Sequence, residues 1–285
     1  MSEEVHPQAA RLDAEDTRAF LKLMNSEDRR AIKAVGEHID RIAAAVEGIA
    51  SRVQLGGSLH YFGAGTSGRI AQLDAAECAP TFGVDVVHAH TAGDGAAEDD
   101  AGRGQSDAWS AQLSPADAVV GVSASGRTEY VLAAVKEAKA AGALVVGLAC
   151  ATGTPLGELA DVAIEIETGP EVIAGSTRLK GGAVQKAVLN MISTGVFVRL
   201  GHTYRGRMTD LVAANVKLRH RAIALICDLT DRTEADASEA LEAAEGNAKV
   251  AVVMLRSDLS PAEASKRLRD GGGDLAAALG ERKRA

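Results

Sequence analysis

Cysteine is scarce. Cys78, Cys150 and Cys227 are the only three in 285 residues, far apart and without a CxxC or Cys/His cluster. Nothing here builds a disulfide framework or a zinc site, so free, mostly buried thiols in a reducing compartment are expected. No run of eighteen apolar residues occurs, so the sequence mark of a transmembrane helix is missing. The opening stretch MSEEVHPQAARLDAEDTR is acidic and polar where a secretory signal would be basic and then apolar. A cytoplasmic protein without a membrane partner is the expectation. A basic excess is absent too: the formal net charge is −8 and the sequence pI about 5.4. That excludes nucleic acid as the main partner, because backbone binding needs a concentrated basic face. Local basic pockets stay open.

With 46% hydrophobic and 25% charged residues, the composition is that of a globular chain, long enough for one large core or two modest ones. Residues 8–50 read as an N-terminal helical arm, with Ile32, Val35, Ile39, Ile42, Val46 and Ile49 as one stripe on a helix from about Ser26. From Ser58 the texture changes to short apolar runs, each followed by a Gly/Ser/Thr turn and an amphipathic stretch. LHYF, VDVV, AVVGV, ALVVGLA and VAIEI are five candidate strands. Their alternation with helical patterns predicts an α/β three-layer sandwich, a five-stranded parallel sheet with helices on both faces. STRLKGGAVQKAVLNMISTGVFVRLG then reads as one long helix and MTDLVAANVKLRHRAIALICDL as another. The tail breaks into short helices at EGN, DLSPAE and GGG.

Two stretches stand out. GAGTSGR, Gly63 to Arg69, follows the first candidate strand, and GVSASGR, Gly121 to Arg127, follows DAVV fifty-eight residues later. The first satisfies G-x-G-x-x-G, a dinucleotide fingerprint, with Asp85 near the spacing of a ribose-binding acid. Asp85 interrupts VDVV in mid-strand, however, where that acid should close the strand. Loops at the carboxyl ends of parallel strands are where ligands bind, and each turn puts a helix N-terminus behind small residues, a place for an anion. Thr66 and Ser67 in one copy, and Ser123, Ser125 and Thr128 in the other, add hydroxyl donors. Hydroxyls plus amides suit a terminal phosphate monoester, whose oxygens each take a donor. Ser and Gly are also good turn and cap residues in their own right; the duplication favours a phosphate site.

The segments YFGAGTSGRIAQLDAAECAPTFG, AAEDD, GVSASGRTEYVLAAV, GPEVIAGSTRLKGGAVQKAVLNMISTG and MTDLVAANVKL resemble the motifs of the N-acetylmuramic acid 6-phosphate etherase family, within the sugar isomerase (SIS) domain superfamily. The resemblance spans roughly Ser58 to Leu225. It implies a flavodoxin-like SIS domain over 51–225 that binds sugar phosphate and carries catalysis, after the arm over 1–50 and before a small helical domain over 226–285. It implies cleavage of the D-lactyl ether of N-acetylmuramic acid 6-phosphate to N-acetylglucosamine 6-phosphate and D-lactate, with neither metal nor organic cofactor. The reaction is an elimination from the ring-opened aldehyde followed by addition of water. One group must take the C2 proton and another must protonate the departing lactyl oxygen on C3; two carboxyl groups can divide that work.

By match to the family's motifs, Glu77 corresponds to the acid that assists lactate departure and Glu98 to the base. Glu77 closes an otherwise apolar or small stretch, whereas Glu98 lies beside Asp99 and Asp100 in a cluster that could equally be a solvated face. The resemblance also implies substrate contacts from Gly65, Thr66 and Ser67, from Ser123, Ser125, Arg127 and Thr128, and from Ser176 and Lys180. The chain departs from the pattern in several places. The segment before AAEDD is about ten residues shorter than usual. Gly95 replaces an acidic residue, Ala79-Pro80 a double proline, Glu129 a proline, and Ala174 and Ala183 two threonines.

Two alternatives stand beside the lyase: a non-catalytic sugar-phosphate sensor, which has no need of both glutamates, and an aldose–ketose isomerase, which uses the same phosphate turns without the LDAAEC and GSTRLK combination. Ser67 and Glu77 are ten residues apart, about 15 Å on a straight helix, whereas a hexose 6-phosphate covers only about 6–7 Å from phosphate to C3. Either the helix ends early and the chain folds back at CAPT, where Pro80 disfavours helix just before it, or Glu77 serves a site on another subunit. The apolar stretch from Ala183 to Leu200 favours a homodimer.

Overall fold

The computed structural model describes residues 4–9, 12–14, 16–93, 95–210 and 216–281. They fall into two compact units, one from residues 1–76 and 86–196, the other from 77–85 and 197–285. The first unit holds five strands, β1 Leu59–Gly63, β2 Val87–Thr91, β3 Ala118–Ser123, β4 Leu144–Ala149 and β5 Val162–Glu165. Their order is β2-β1-β3-β4-β5 and every pair is parallel. The chain leaves β1 for one side of the sheet and returns to the other, so the crevice expected of such sheets opens at the carboxyl ends of β1 and β3.

Helices α1 Thr17–Val35 and α2 Ile39–Gln54 form the arm, followed by α3 Gly65–Phe82, α4 Ala101–Ser110, α5 Glu129–Ala140, α6 Pro155–Leu159 and α7 Lys180–Arg199. Phe62, Val119 and Val145 meet Tyr130, Val131 and Val135 of α5 and Leu156 of α6 in one buried cluster. The helices come this close because Gly121 and Gly147 are register partners: a Cβ on Gly121 would lie 2.8 Å from Val135 and 3.0 Å from Leu156. On the other face α2 lies against β3, β4 and β5, and Tyr61 reaches Asp74 of α3 with its hydroxyl, 3.0 Å away.

Three sequence expectations change. The second strand is VHAHT rather than VDVV. Its polar side chains are sheltered by stacking: His90 lies on Phe62 at 4.4 Å between ring centroids and on His60 at 5.4 Å. Asp85 therefore precedes the strand instead of interrupting it, at the amino end of the sheet, where no ribose acid would stand. The arm is two helices rather than one, because a 3-10 turn at Gly36–His38 shifts the helical phase. Val35, Ile42, Val46 and Ile49 are buried, while Ile32 and Ile39 are exposed. Finally, α3 runs on through Pro80 to Phe82. Pro80 has no N–H for the Ala76 carbonyl, yet the helix continues past it, and the Gly83 N–H donates to the Ala79 carbonyl at 2.9 Å. The early helix end is thereby overturned.

The second unit is built around α8 Val216–Thr230, α9 Glu234–Ala243, α10 Ala248–Ser257, α11 Pro261–Asp270 and α12 Leu275–Ala278, with the two-residue strands β6 Thr203–Tyr204 and β7 Arg207–Met208. The helix read from MTDLVAANVKL begins, in the described residues, only at Val216; residues 211–215 lie outside them. Ile226, Leu241, Ala251, Val252 and Leu275 form its core. The breaks fall where EGN, DLSPAE and GGG stand, each next helix being capped by Asn247, Ser260 or Asp274. Lys249 is buried, and its ammonium donates to the carbonyls of Gly201 and Gly273 at 3.0 and 2.8 Å. Among the described residues no helix is long and apolar enough to cross a membrane.

Candidate active site

The two heptapeptides lie at the ends of directly hydrogen-bonded strands but are not the same turn. Register places Gly63 beside Val122, and Phe62 beside Gly121, so the copies are one residue out of step. After Gly63 the chain enters α3 at Gly65, which puts Thr66 and Ser67 in its first turn, where backbone N–H groups lack a helical acceptor. The fingerprint glycines here serve packing: a Cβ on Gly68 would lie 2.8 Å from the Gly63 carbonyl oxygen. Thr66 is half-buried. Ser67 is buried, and its hydroxyl donates to Gln185 Oε1 of α7 at 3.1 Å.

In the second copy β3 continues to Ser123 and a loop precedes α5. Ser123 is buried and organises that loop. Its Oγ lies 2.8 Å from Thr128 Oγ1 and 3.4 Å from Ser125 Oγ, and it accepts the Gly126 N–H at 3.0 Å. Ser125 Oγ accepts the Arg127 N–H at 3.2 Å; both residues are exposed. Gly126 has φ +65, and a Cβ there would fall 2.5 Å from the Thr154 side chain, so only glycine fits. Glu129 takes the first position of α5, where its charge suits the positive helix end.

Glu98 lies in a 3-10 helix, Gly95–Asp99, beyond the carboxyl end of β2. It is half-buried while Asp99 is exposed, and Asp100 is spent as N-cap of α4, accepting the Arg103 N–H at 2.9 Å. Of the three acids, Glu98 alone is half-buried. The loop that carries it is tied to the first turn by the Gly65 N–H, which donates to the Gly93 carbonyl at 2.7 Å. Gly95, at φ +64, adopts a conformation that an acidic residue would take only with strain.

Glu77 is exposed on α3 and belongs to the second unit. Ser176 is half-buried in the turns before α7. Lys180 is 1% exposed, and its ammonium donates to Glu27 Oε2 of α1 at 2.6 Å. Arg30 and His6 approach the same oxygen at 2.6 and 3.3 Å. Burial alone would raise the Glu27 pKa; the hydrogen bonds from Lys180 and Arg30 overcome it, and the net shift is downward.

Beside the second turn lies a cavity of about 300 Å³ at the carboxyl ends of β3, β4 and β5, with Ser125 and Arg127 at its edge and Cys150, Thr177 and Glu171 among its walls. Sequence reasoning passed over Glu171 and Gln185. The available signals were an acid inside the uncharged stretch TGPEVIAGST and an amide inside the apolar helix GGAVQKAV.

Residues 101–194 match the SIS domain family. The phosphoheptose isomerase of Neisseria gonorrhoeae superposes with a TM-score of 0.50 at 18% identity, covering 64% of this chain and 98% of that one, a likeness of fold. An N-acetylmuramic acid 6-phosphate etherase from Rubrobacter xylanophilus is 46% identical over 100% of this chain and 97% of its own length. One from Mycolicibacterium smegmatis is 45% identical over 92% of this chain and 91% of its own. Identity at this level along the whole length, on top of a shared SIS sheet, means that the chain belongs to the N-acetylmuramic acid 6-phosphate etherase family.

Proposed function

We propose that the protein is a carbon–oxygen lyase that releases D-lactate from N-acetylmuramic acid 6-phosphate and leaves N-acetylglucosamine 6-phosphate, a step of amino-sugar metabolism in the cytoplasm. What carries this is the retention of a carboxylate at both matched positions, Glu77 and Glu98, in a chain 46% identical to an etherase along its whole length.

The substrate phosphate sits at the hydroxyls and amides of the Ser123–Thr128 loop, with the start of α3 alongside. Glu98 takes the C2 proton of the open-chain aldehyde. As the C2–C3 double bond forms, the C3–O bond breaks and Glu77 delivers a proton to the lactyl oxygen. Water then adds at C3 and a proton returns to C2, so atoms balance without an oxidant or reductant. Because α3 is unbroken from Gly65 to Phe82, Ser67 and Glu77 lie about 15 Å apart along it, beyond the reach of one hexose phosphate. The active site is accordingly shared across a homodimer, Glu77 serving the partner's phosphate pocket. Exposed Leu73 on α3 and Met191 on α7, 50% and 42% accessible, supply apolar surface for that contact.

Assaying D-lactate from N-acetylmuramic acid 6-phosphate with the purified chain tests the reaction. Release at a catalytic rate is the expected result. Binding without release would make the protein a sensor, and interconversion of aldose and ketose phosphates would make it an isomerase.

A further inference from the structure

Glu171 has no part in the chemistry above, yet it is the most enclosed acid at the carboxyl ends of the strands, 2% exposed. Its carboxylate accepts the Gly181 N–H at 2.9 Å and the Lys180 N–H at 3.3 Å, at the start of α7. Two N–H donors leave about half of a carboxylate's acceptor sites unused, and Glu171 also forms part of the cavity wall. The cavity's volume, about 300 Å³, falls at the small end of the range for small-molecule sites.

The two ends of this cavity differ in chemistry. At its edge, Arg127 and the Ser125 hydroxyl of the second turn suit an anion. Deeper in, two hydroxyl hydrogens are already committed: Thr154 donates to Glu165 at 2.7 Å, and Thr168 donates to the Cys150 carbonyl at 3.4 Å. The Cys150 thiol is held protonated, its pKa pushed up to about 12 by burial and then by the charge of Glu171. The Glu171 carboxylate is an acceptor there, so a matching ligand presents hydrogen-bond donors to it and a negative charge to the Arg127 edge. Burial raises the proton affinity of Glu171 itself, so hydrogen bonds from a ligand would relieve an under-solvated carboxyl.

We propose that this cavity takes the hydroxylated carbon chain of a sugar phosphate bound at the second turn, and that Glu171 is the acceptor that reads its hydroxyl or amide hydrogens. The identity of that sugar phosphate rests on the function proposed above; the cavity's preference for a polyol phosphate over bare phosphate does not.

The test is calorimetric binding of two probes, inorganic phosphate and D-glucitol 6-phosphate, to the full chain and to two variants. Glu171→Gln keeps the shape and one acceptor for α7 but removes the charge. Gly181→Ala keeps the carboxylate but places a methyl 3.3 Å from Glu171 Oε1 and 3.7 Å from Cys150 Sγ, narrowing the deep end. The unaltered chain is expected to hold glucitol 6-phosphate more tightly than phosphate. Each variant is expected to weaken the polyol phosphate about tenfold, the size of one charge-assisted hydrogen bond, and to leave inorganic phosphate within about twofold. Equal weakening of both probes would make Glu171 only a cap for α7, and an unchanged affinity for the polyol phosphate would empty the cavity of this role; either overturns the proposal. Should Glu171→Gln not fold, Gly181→Ala decides by the same comparison. A chain that releases no D-lactate would sink the etherase function and leave this binding comparison intact.

Discussion

The Ser67 hydroxyl and the Gln185 side chain meet at 3.1 Å, both buried, although 118 residues separate them. As oriented, Ser67 gives its only hydrogen to Gln185 Oε1, and Gln185 Nε2 has no hydrogen-bond partner among the described residues. An unpaired buried amide hydrogen costs about 1–3 kcal/mol. Turning the amide over lets Nε2 donate to Ser67 and frees the serine hydrogen for a ligand oxygen. Gln185 is then the residue that aims Ser67. In Gln185→Met, KM for the phosphorylated substrate is expected to rise about tenfold while thermal stability holds or improves, since the uncompensated group is gone. An unchanged KM would confine Gln185 to packing.

The second turn makes a complementary prediction. Ser125→Ala is expected to raise KM more than it lowers kcat, because phosphate binding is remote from the bond broken and largely uniform between ground and transition states. Gly126→Ala is expected to do more damage, since its methyl would fall 2.5 Å from Thr154 and φ is +65. Steady-state kinetics on phosphorylated and unphosphorylated substrate check both; equal affinity for the two sugars contradicts the phosphate assignment.

Lys180, matched by resemblance to a substrate contact, has its ammonium already engaged by Glu27. Breaking a buried pair by removing one partner costs about 3–5 kcal/mol, whereas replacing both with apolar groups costs far less. Lys180→Met is therefore expected to lower the denaturant midpoint sharply and Glu27→Leu/Lys180→Met to restore most of it. The pKa of Glu27 lies below its ordinary value near 4.5, so its contribution is complete above that pH and is lost as pH falls through the folded value. Glu27→Gln should remove that part of the acid slope.

His60 has the opposite charge type and acts in a milder range. Burial first, then His90 and His88, push its pKa down to about 4 from 6.5. Between those values the unfolded chain binds a proton that the folded chain refuses, so stability falls as pH drops from 6.5 toward 4 and levels off below, by at most about 3 kcal/mol. Unfolding curves across that range should show the slope in the unaltered protein and a flatter one in His60→Gln. Equal slopes would mean that His60 titrates normally.

Much of the architecture was legible because β3 and β4 are nearly continuous apolar runs, β1 and β5 are apolar but for His60 and Glu165, and the tail's helix breaks carry their own caps. The second strand was misplaced for a physical reason. His88 and His90 are polar, and what shelters them is ring packing on His60 and Phe62, which a count of apolar residues does not register. The related heptapeptides marked two neighbouring strand ends, but their shared letters hid a helix that begins at Gly65 in one copy and at Glu129 in the other. Partners far apart in sequence, such as Gln185 for Ser67 and Glu27 for Lys180, became visible only once the chain was folded.

The most direct test of the proposed chemistry follows hydrogen at C2. N-acetylmuramic acid 6-phosphate is incubated in deuterated water with the unaltered protein, with Glu77→Gln and with Glu98→Gln, and both D-lactate and deuterium at C2 are measured. With Glu98 as base and Glu77 as acid, the unaltered protein releases lactate and yields N-acetylglucosamine 6-phosphate bearing deuterium at C2. Glu77→Gln still exchanges C2 hydrogen into the substrate but releases no lactate, and Glu98→Gln does neither. Lactate released without deuterium at C2 would contradict elimination altogether, and loss of exchange in Glu77→Gln alone would reverse the two roles.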